Sequence, residues 1–186
     1  PIKKPLLAEE GSNTIVTIAT AEPSIHVLQT KRGGQPIISK TELPLEEEFT
    51  HPNTVWSSED LNNDGINDLL YSFNRTLIAA YATQEGIPQE AWRTETKLHR
   101  EYFRHTPVLV DLTGDQKPEI IVRTNREGVY ILSSQGEIQA RLELEENATS
   151  LDHLYFHNRS YLAITVKDHI HLLSTNWLRL FFKDTK

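Results

Sequence analysis

Asp60-Leu61-Asn62-Asn63-Asp64-Gly65-Ile66-Asn67-Asp68, followed directly by Leu69-Leu70-Tyr71-Ser72-Phe73, carries two signals at once. Side-chain oxygens fall at loop positions 1, 3, 5 and 9, with Gly65 at position 6. A hard cation such as Ca²⁺ takes roughly six to eight oxygens at about 2.3–2.6 Å, and alternate residues of a tight loop can supply them. Gly65 permits the sharp turn because glycine tolerates positive φ. Position 12 is Tyr71, where a helix-flanked calcium loop needs a bidentate carboxylate, and the residues that follow read as a strand. The reading is a calcium-type loop joining two strands. Its candidate ligands are Asp60, Asn62, Asp64 and Asp68 by side chain and Ile66 by carbonyl. The alternative is an Asx-turn loop with solvated carboxylates. Against it, carboxylates packed this closely repel one another unless a cation is present.

The pattern recurs 51 residues later as Asp111-Leu112-Thr113-Gly114-Asp115-Gln116-Lys117-Pro118-Glu119. Asp111, Thr113, Asp115 and Glu119 place oxygens at the same positions. Val108-Leu109-Val110 precedes the loop and Ile120-Ile121-Val122 follows it, as the first copy's apolar flank leads one to expect. A repeat of about 40–50 residues made of short strands points to propeller blades or a similar array. Around the second loop the unit reads as strands at 107–110, 119–124, 129–132 and 138–144, with hairpin turns at Asn125-Arg126-Glu127-Gly128 and Ser133-Ser134-Gln135-Gly136. Alternation of Ile138, Ala140, Leu142 and Leu144 with polar residues suits a strand buried on one face.

The same unit lays onto the rest of the chain, giving one all-β region over residues 1–186 with repeats at about 5–48, 53–97, 106–146 and 150–183. Ile25-His26-Val27-Leu28, Val129-Tyr130-Ile131-Leu132 and Ile170-His171-Leu172-Leu173 align as equivalent third strands. Trp177 to Phe182 is expected as the last strand. The outer copies lack the acidic loop. Residues 94–103 are the best helical candidate, yet their apolar stripe is thin and they read as strand plus loop. The expected architecture is four-stranded antiparallel blades, about four of them. A blade must stack on neighbours to bury its faces. With no cysteine to tie the ends and no terminal strand swapped across a seam, the expectation is a piece of a larger propeller, or one completed by another chain. The alternative is closure on these four blades.

These two stretches, Asp60 to Leu70 and Val110 to Val122, resemble the FG-GAP/VCBS repeat family, whose blades also build integrin α-chain heads. The first matches well. The second departs at Gln116, where glycine is usual, at Thr113, and at Glu119 in place of Asp. The resemblance implies a blade-built scaffold with structural Ca²⁺ in inter-strand loops, generally extracytoplasmic and used for adhesion or assembly. It implies no shared enzymatic activity.

Composition narrows the function. The net charge is −7 and the basic spots are short, so nucleic acid, which requires a basic surface, is not an expected partner. No run approaches the roughly 18 apolar residues of a membrane span. Absence of cysteine excludes disulfides and thiolate chemistry, and absence of methionine means that Pro1 is not a translation start, which fits removal of a secretory leader. His153 and His157 are i,i+4 on a strand, about 13 Å apart at ~3.3 Å per residue, too far to share zinc. His169 and His171 lack a third ligand, and His99 and His105 flank a loop with nothing tying them to chemistry. Asn74, Asn147 and Asn158 begin glycosylation sequons. No triad, dyad or cofactor motif is found. The expected function is a non-catalytic, Ca²⁺-stabilised scaffold for a protein or glycan partner. The alternative is an accessory or substrate-binding part of an extracytoplasmic enzyme acting on polysaccharide.

Overall fold

The computed structural model describes the backbone of residues 6–10, 13–19, 24–31, 37–42, 56–73, 75–82, 88–157 and 159–174, with side chains at 59–72, 75–81, 89–157 and 160–174. Among these residues the chain is all strand and turn, with no helix. The first sheet is β1 (Leu6–Glu10), β2 (Asn13–Ala19), β3 (Ser24–Lys31) and β4 (Ile37–Glu42). The second is β5 (Trp56–Glu59), β6 (Asp68–Phe73), β7 (Thr76–Ala82) and β8 (Pro88–Glu95). The third is β9 (Phe103–Val110), β10 (Glu119–Thr124), β11 (Gly128–Leu132) and β12 (Ile138–Glu143). The fourth is β13 (Ala148–Phe156), β14 (Arg159–Val166) and β15 (His169–Ser174). Each is an open antiparallel meander in chain order. The first strands of consecutive sheets are neighbours: β1 lies by β5, β5 by β9, and β9 by β13.

The third sheet shows how a continuous apolar run becomes a two-sided core. Every residue of β10 and β11 is buried. Successive strand residues point to opposite faces, so Ile120, Val122, Tyr130 and Leu132 pack with Leu61, Leu70, Leu77 and Ala79 of the second sheet and its loop. Ile121, Val129 and Ile131 point the other way and pack with Leu162, Ile164 and Val166 of β14. Each fully buried isoleucine or leucine contributes roughly 1.5–3 kcal/mol relative to exposure. A one-residue slip of β10 would exchange the two faces and lose both interfaces.

A second clasp lies further out. The Trp92 indole N–H on β8 donates to the Ser134 carbonyl at 3.0 Å, and Thr94 Oγ1 donates to the Gly136 carbonyl at 2.5 Å. Gly136 has φ +80°, and a Cβ there would meet the Trp92 ring at 2.4 Å. The turn between β11 and β12 therefore needs glycine for its backbone and for the indole lying on it.

The described strands fall, in chain order, into three antiparallel sheets of four strands and one of three. β9 begins at Phe103 rather than 107, because beyond an irregularity opposite Val122 its pairing with β10 resumes at Arg104 and Phe103. β8 spans Pro88–Glu95, and residues 96–102 form bends and a turn, so the helical candidate is strand and loop. The strand expected at Trp177 to Phe182 lies outside the described residues. The outer face of the fourth sheet exposes Leu154, Phe156, Ile170 and Leu172 around a shallow depression that Tyr155 and Tyr161 also line. Among the described residues no helix is long and apolar enough to cross a membrane.

Candidate functional site

Both acidic loops occupy the same place, between the first and second strands of consecutive sheets, and their internal hydrogen bonds match. Asp60 Oδ2 accepts from Gly65 N at 2.9 Å, and Asp111 Oδ2 from Gln116 N at 3.0 Å. Asp64 Oδ1 accepts from Ile66 N at 2.8 Å, and Asp115 Oδ1 from Lys117 N at 2.9 Å. Asp68 Oδ2 accepts from Leu61 N at 2.9 Å, and Glu119 Oε2 from Leu112 N at 2.6 Å. The backbones agree too. Loop position 4 is left-handed in both (Asn63 φ 62°, Gly114 φ 79°), and so is position 6 (Gly65 φ 85°, Gln116 φ 68°). Gln116 thus adopts the glycine conformation at a strain cost of about 1–2 kcal/mol.

Position 2 is a leucine in both loops for a reason that its spacing does not reveal. Leu61 is buried in the interface between the second and third sheets, and Leu112 in the interface between the third and fourth. Each loop is pegged into the core beneath it while its acids face outward or back on its own amides. The loops also touch: Asn63 Nδ2 donates to the Gln116 carbonyl at 2.7 Å.

The first loop offers only oxygen donors, the type that a hard cation takes. Asp60, Asn62 and Asp64 lie on the outer side, and the buried Asp68 closes the base. Asn62 Oδ1 and Asp60 Oδ1 both accept from Asp64 N, at 2.9 and 3.1 Å. The carboxylates are turned toward the loop's own N–H groups. Among the described residues no set of three or more acidic, histidine or cysteine side chains converges at metal-ligating distance. The second loop spends its oxygens differently. Thr113 Oγ1 donates to Glu119 Oε1 at 3.1 Å, and Glu119 Oε2 also accepts from Thr113 N at 3.2 Å. Burial pushes the Glu119 carboxyl up, against the pull of the three hydrogen bonds from Leu112 and Thr113. Protein donors already surround Glu119, so this loop closes on itself.

At the other end of the third sheet is a polar centre that the sequence reading missed. Glu101, fully buried, accepts from Tyr130 Oη at 2.6 Å, Thr124 Oγ1 at 3.0 Å and Arg141 Nη2 at 3.1 Å. Lys97 N donates to Tyr130 Oη at 2.9 Å. Burial, and then the bond to Glu101, raises the Tyr130 hydroxyl pKa. The Arg141 guanidinium also lies 5.8 Å from the Tyr130 ring centroid, in cation–π range. A Cβ at Gly128 would meet Glu101 Oε1 at 2.3 Å, so glycine there makes room for the carboxylate. The signal for this centre was one acid inside the charged run Lys97-Leu98-His99-Arg100-Glu101, which looks solvated. The centre holds the β8–β9 connection to the sheet. It presents no nucleophile or open face to a substrate.

The histidines stay apart. His153 is on β13 and His157 in the turn after it. His169 Nδ1 lies 2.7 Å from Asp168 Oδ1, both exposed. Glu143 is exposed beside Arg141, and Glu146 pairs with Lys167.

No family model matches the chain, and no curated protein matches it. Among solved structures it is similar to a protein of unknown function from Bacteroides caccae, at 12% identity and a TM-score of 0.46. That likeness covers 92% of this chain and 60% of the other, so the chain spans about three fifths of that protein's length.

Proposed function

We propose that the chain is a run of propeller blades acting as a non-catalytic, extracytoplasmic scaffold for a protein or glycan partner, and that its Asp60 loop takes a structural Ca²⁺. The observation that carries this reading is the equivalence of the two loops. They share hydrogen bonds, left-handed positions and a buried leucine at the same point of consecutive sheets. Neighbouring first strands support the blade arrangement. Asp60, Asn62, Asp64 and Asp68, with the Ile66 carbonyl, would hold the ion after the outer carboxylates rotate away from their own amides. Bound there, the cation would neutralise acids that otherwise repel and would pin the turn. In the Asp111 loop, Asp111, Thr113, Asp115 and Glu119 take the ion less readily, because Thr113 and Glu119 are satisfied by each other.

Calorimetric titration with CaCl₂ tests the proposal. One saturable site is expected, lost in Asp64→Ala and retained in Asp115→Ala. Because a ligand of the native state alone stabilises it, EDTA should lower the melting temperature of the loaded protein. Absence of saturable heat, or identical heat from Asp64→Ala, would sink the assignment.

A further inference from the structure

Arg123 is the one described guanidinium that burial leaves without an acidic or hydrogen-bonding partner. It is 7% exposed, and its Nε is buried with no hydrogen-bond partner. Three other arginines are answered: Arg141 by Glu101 and Glu143, Arg93 by Glu90, and Arg75 by Thr96. A guanidinium stays charged in proteins, and burying a charge without a counter-charge is costly. In a chain of net charge −7, acids to pair with it are plentiful. The fold nevertheless sets more positive charge beside it.

Arg104 is the partner of Arg123 in register across β9 and β10. Two steps along, Ile121 pairs with Val108, so His105, Thr106 and Pro107 of β9 stand against Val122 alone. Three residues against one make a special bulge, and His105 within it has φ 68°, a strained value for a residue with a Cβ. Pro107 brings no N–H to the ladder. His105 follows Arg104 directly in this bulge and feels the charge of both arginines. Arg104 and His105 are exposed while Arg123 is not, so the three form a floor and a rim. Ile121 faces the fourth sheet, and Arg123, two residues on, shares that face at the margin of the apolar interface. The electrostatics agree with the geometry. Burial and then Arg104 lower the Arg123 pKa, while burial, Arg123 and Arg104 lower that of His105; no carboxylate opposes either shift.

We propose that Arg104, His105 and Arg123 form a binding site for a small oxyanion, a phosphate or carboxylate group, at the bulge in β9. The planar Arg123 fork, held in place by burial, suits two oxygens of such a group, and charge-assisted hydrogen bonds to it are the strong kind. Arg104 and His105 close on it from the solvent side. Strained bulges recur where a strand re-aims side chains at a ligand. The site is independent of both acidic loops: the Asp111 loop follows the opposite end of β9, and the Asp60 loop touches that loop through Asn63 and the Gln116 carbonyl.

The experiment is calorimetric titration of the chain in EDTA with sodium phosphate and, separately, sodium acetate, each against sodium chloride at equal ionic strength. One saturable site is expected for at least one of the two oxyanions, and whichever binds identifies the phosphate or carboxylate source. Arg123→Met should weaken binding at least tenfold. Because it removes an unanswered buried charge, its melting temperature without anion should equal or exceed that of the parent chain. Arg104→Gln, at an exposed position, should weaken binding without disturbing the fold and provides the same test separately. No saturable heat with either oxyanion, or affinity unchanged in Arg104→Gln and Arg123→Met, overturns the proposal.

Discussion

Replacing Glu101 by alanine should destabilise the protein by about 4 kcal/mol, and the structure says where that comes from. The carboxylate is fully buried and accepts from Tyr130, Thr124 and Arg141 at 2.6–3.1 Å. Thr124 keeps the Gly128 carbonyl at 3.2 Å, so its loss is small. Arg141 keeps Glu143 at 3.3 Å and its side chain is 16% exposed. Breaking a buried ion pair from one side costs about 3–5 kcal/mol, and the second carboxylate places Arg141 at about 3. The Tyr130 O–H loses its acceptor in a buried site, about 1 kcal/mol more. For a chain of this length that corresponds to a fall of roughly 10 °C in melting temperature. Urea unfolding followed by tryptophan fluorescence and circular dichroism measures it, with the slope against urea unchanged. Glu101→Gln, which keeps an acceptor, should lose about half as much. Tyr130→Phe should lose about 1–2 kcal/mol. A loss under about 1 kcal/mol for Glu101→Ala, or a larger loss for Tyr130→Phe, would refute the assignment of this centre as the anchor of the β8–β9 connection.

The left-handed position 6 gives a reciprocal pair. Gln116→Gly should stabilise by about 0.5 kcal/mol, relief of strain less the added freedom of the unfolded chain. Gly65→Gln should destabilise by about 1 kcal/mol through the backbone alone, because the space around a Cβ there is open. Equal urea midpoints for both variants and the parent would contradict the φ argument. Glu119 sets a pH dependence. Its folded pKa is raised, chiefly by burial, so the folded state holds its proton more tightly than the unfolded chain. Its contribution is full below the unfolded value and is lost as pH rises through the folded one. In EDTA, the parent chain should therefore lose stability relative to Glu119→Gln as pH rises from about 4 toward 7, as read from urea melts across that range. Parallel curves would remove burial as the dominant influence on Glu119.

Much of this architecture was legible because strand and loop chemistry repeats. Asp60 and Asp111 mark one junction twice, and Val129-Tyr130-Ile131-Leu132 has look-alikes in two other sheets. What resisted reading was whatever depends on a neighbour distant in sequence. Glu101 looks solvated until Tyr130 and Arg141, 29 and 40 residues on, close over it. Leu61 and Leu112 read as spacers between ligands until two sheets meet around them. Gln116 reads as a departure from glycine, yet its backbone is the same as that of Gly65, since position 4 and position 6 exchange the glycine between the copies. Arg123 stands in an unbroken buried strand, where a pattern of hydrophobicity says only that the segment is inside.

The bond from the Trp92 indole to the Ser134 carbonyl means that a sheet is not the natural unit of excision. A truncated chain ending after Glu95 would keep all four strands of the second sheet, yet it would uncover a half-buried indole and hand its N–H to water. Ribosomal synthesis meets the same geometry. β8 gains its final contacts only once the hairpin between β11 and β12 has emerged, so its maturation lags its own translation by 42 residues.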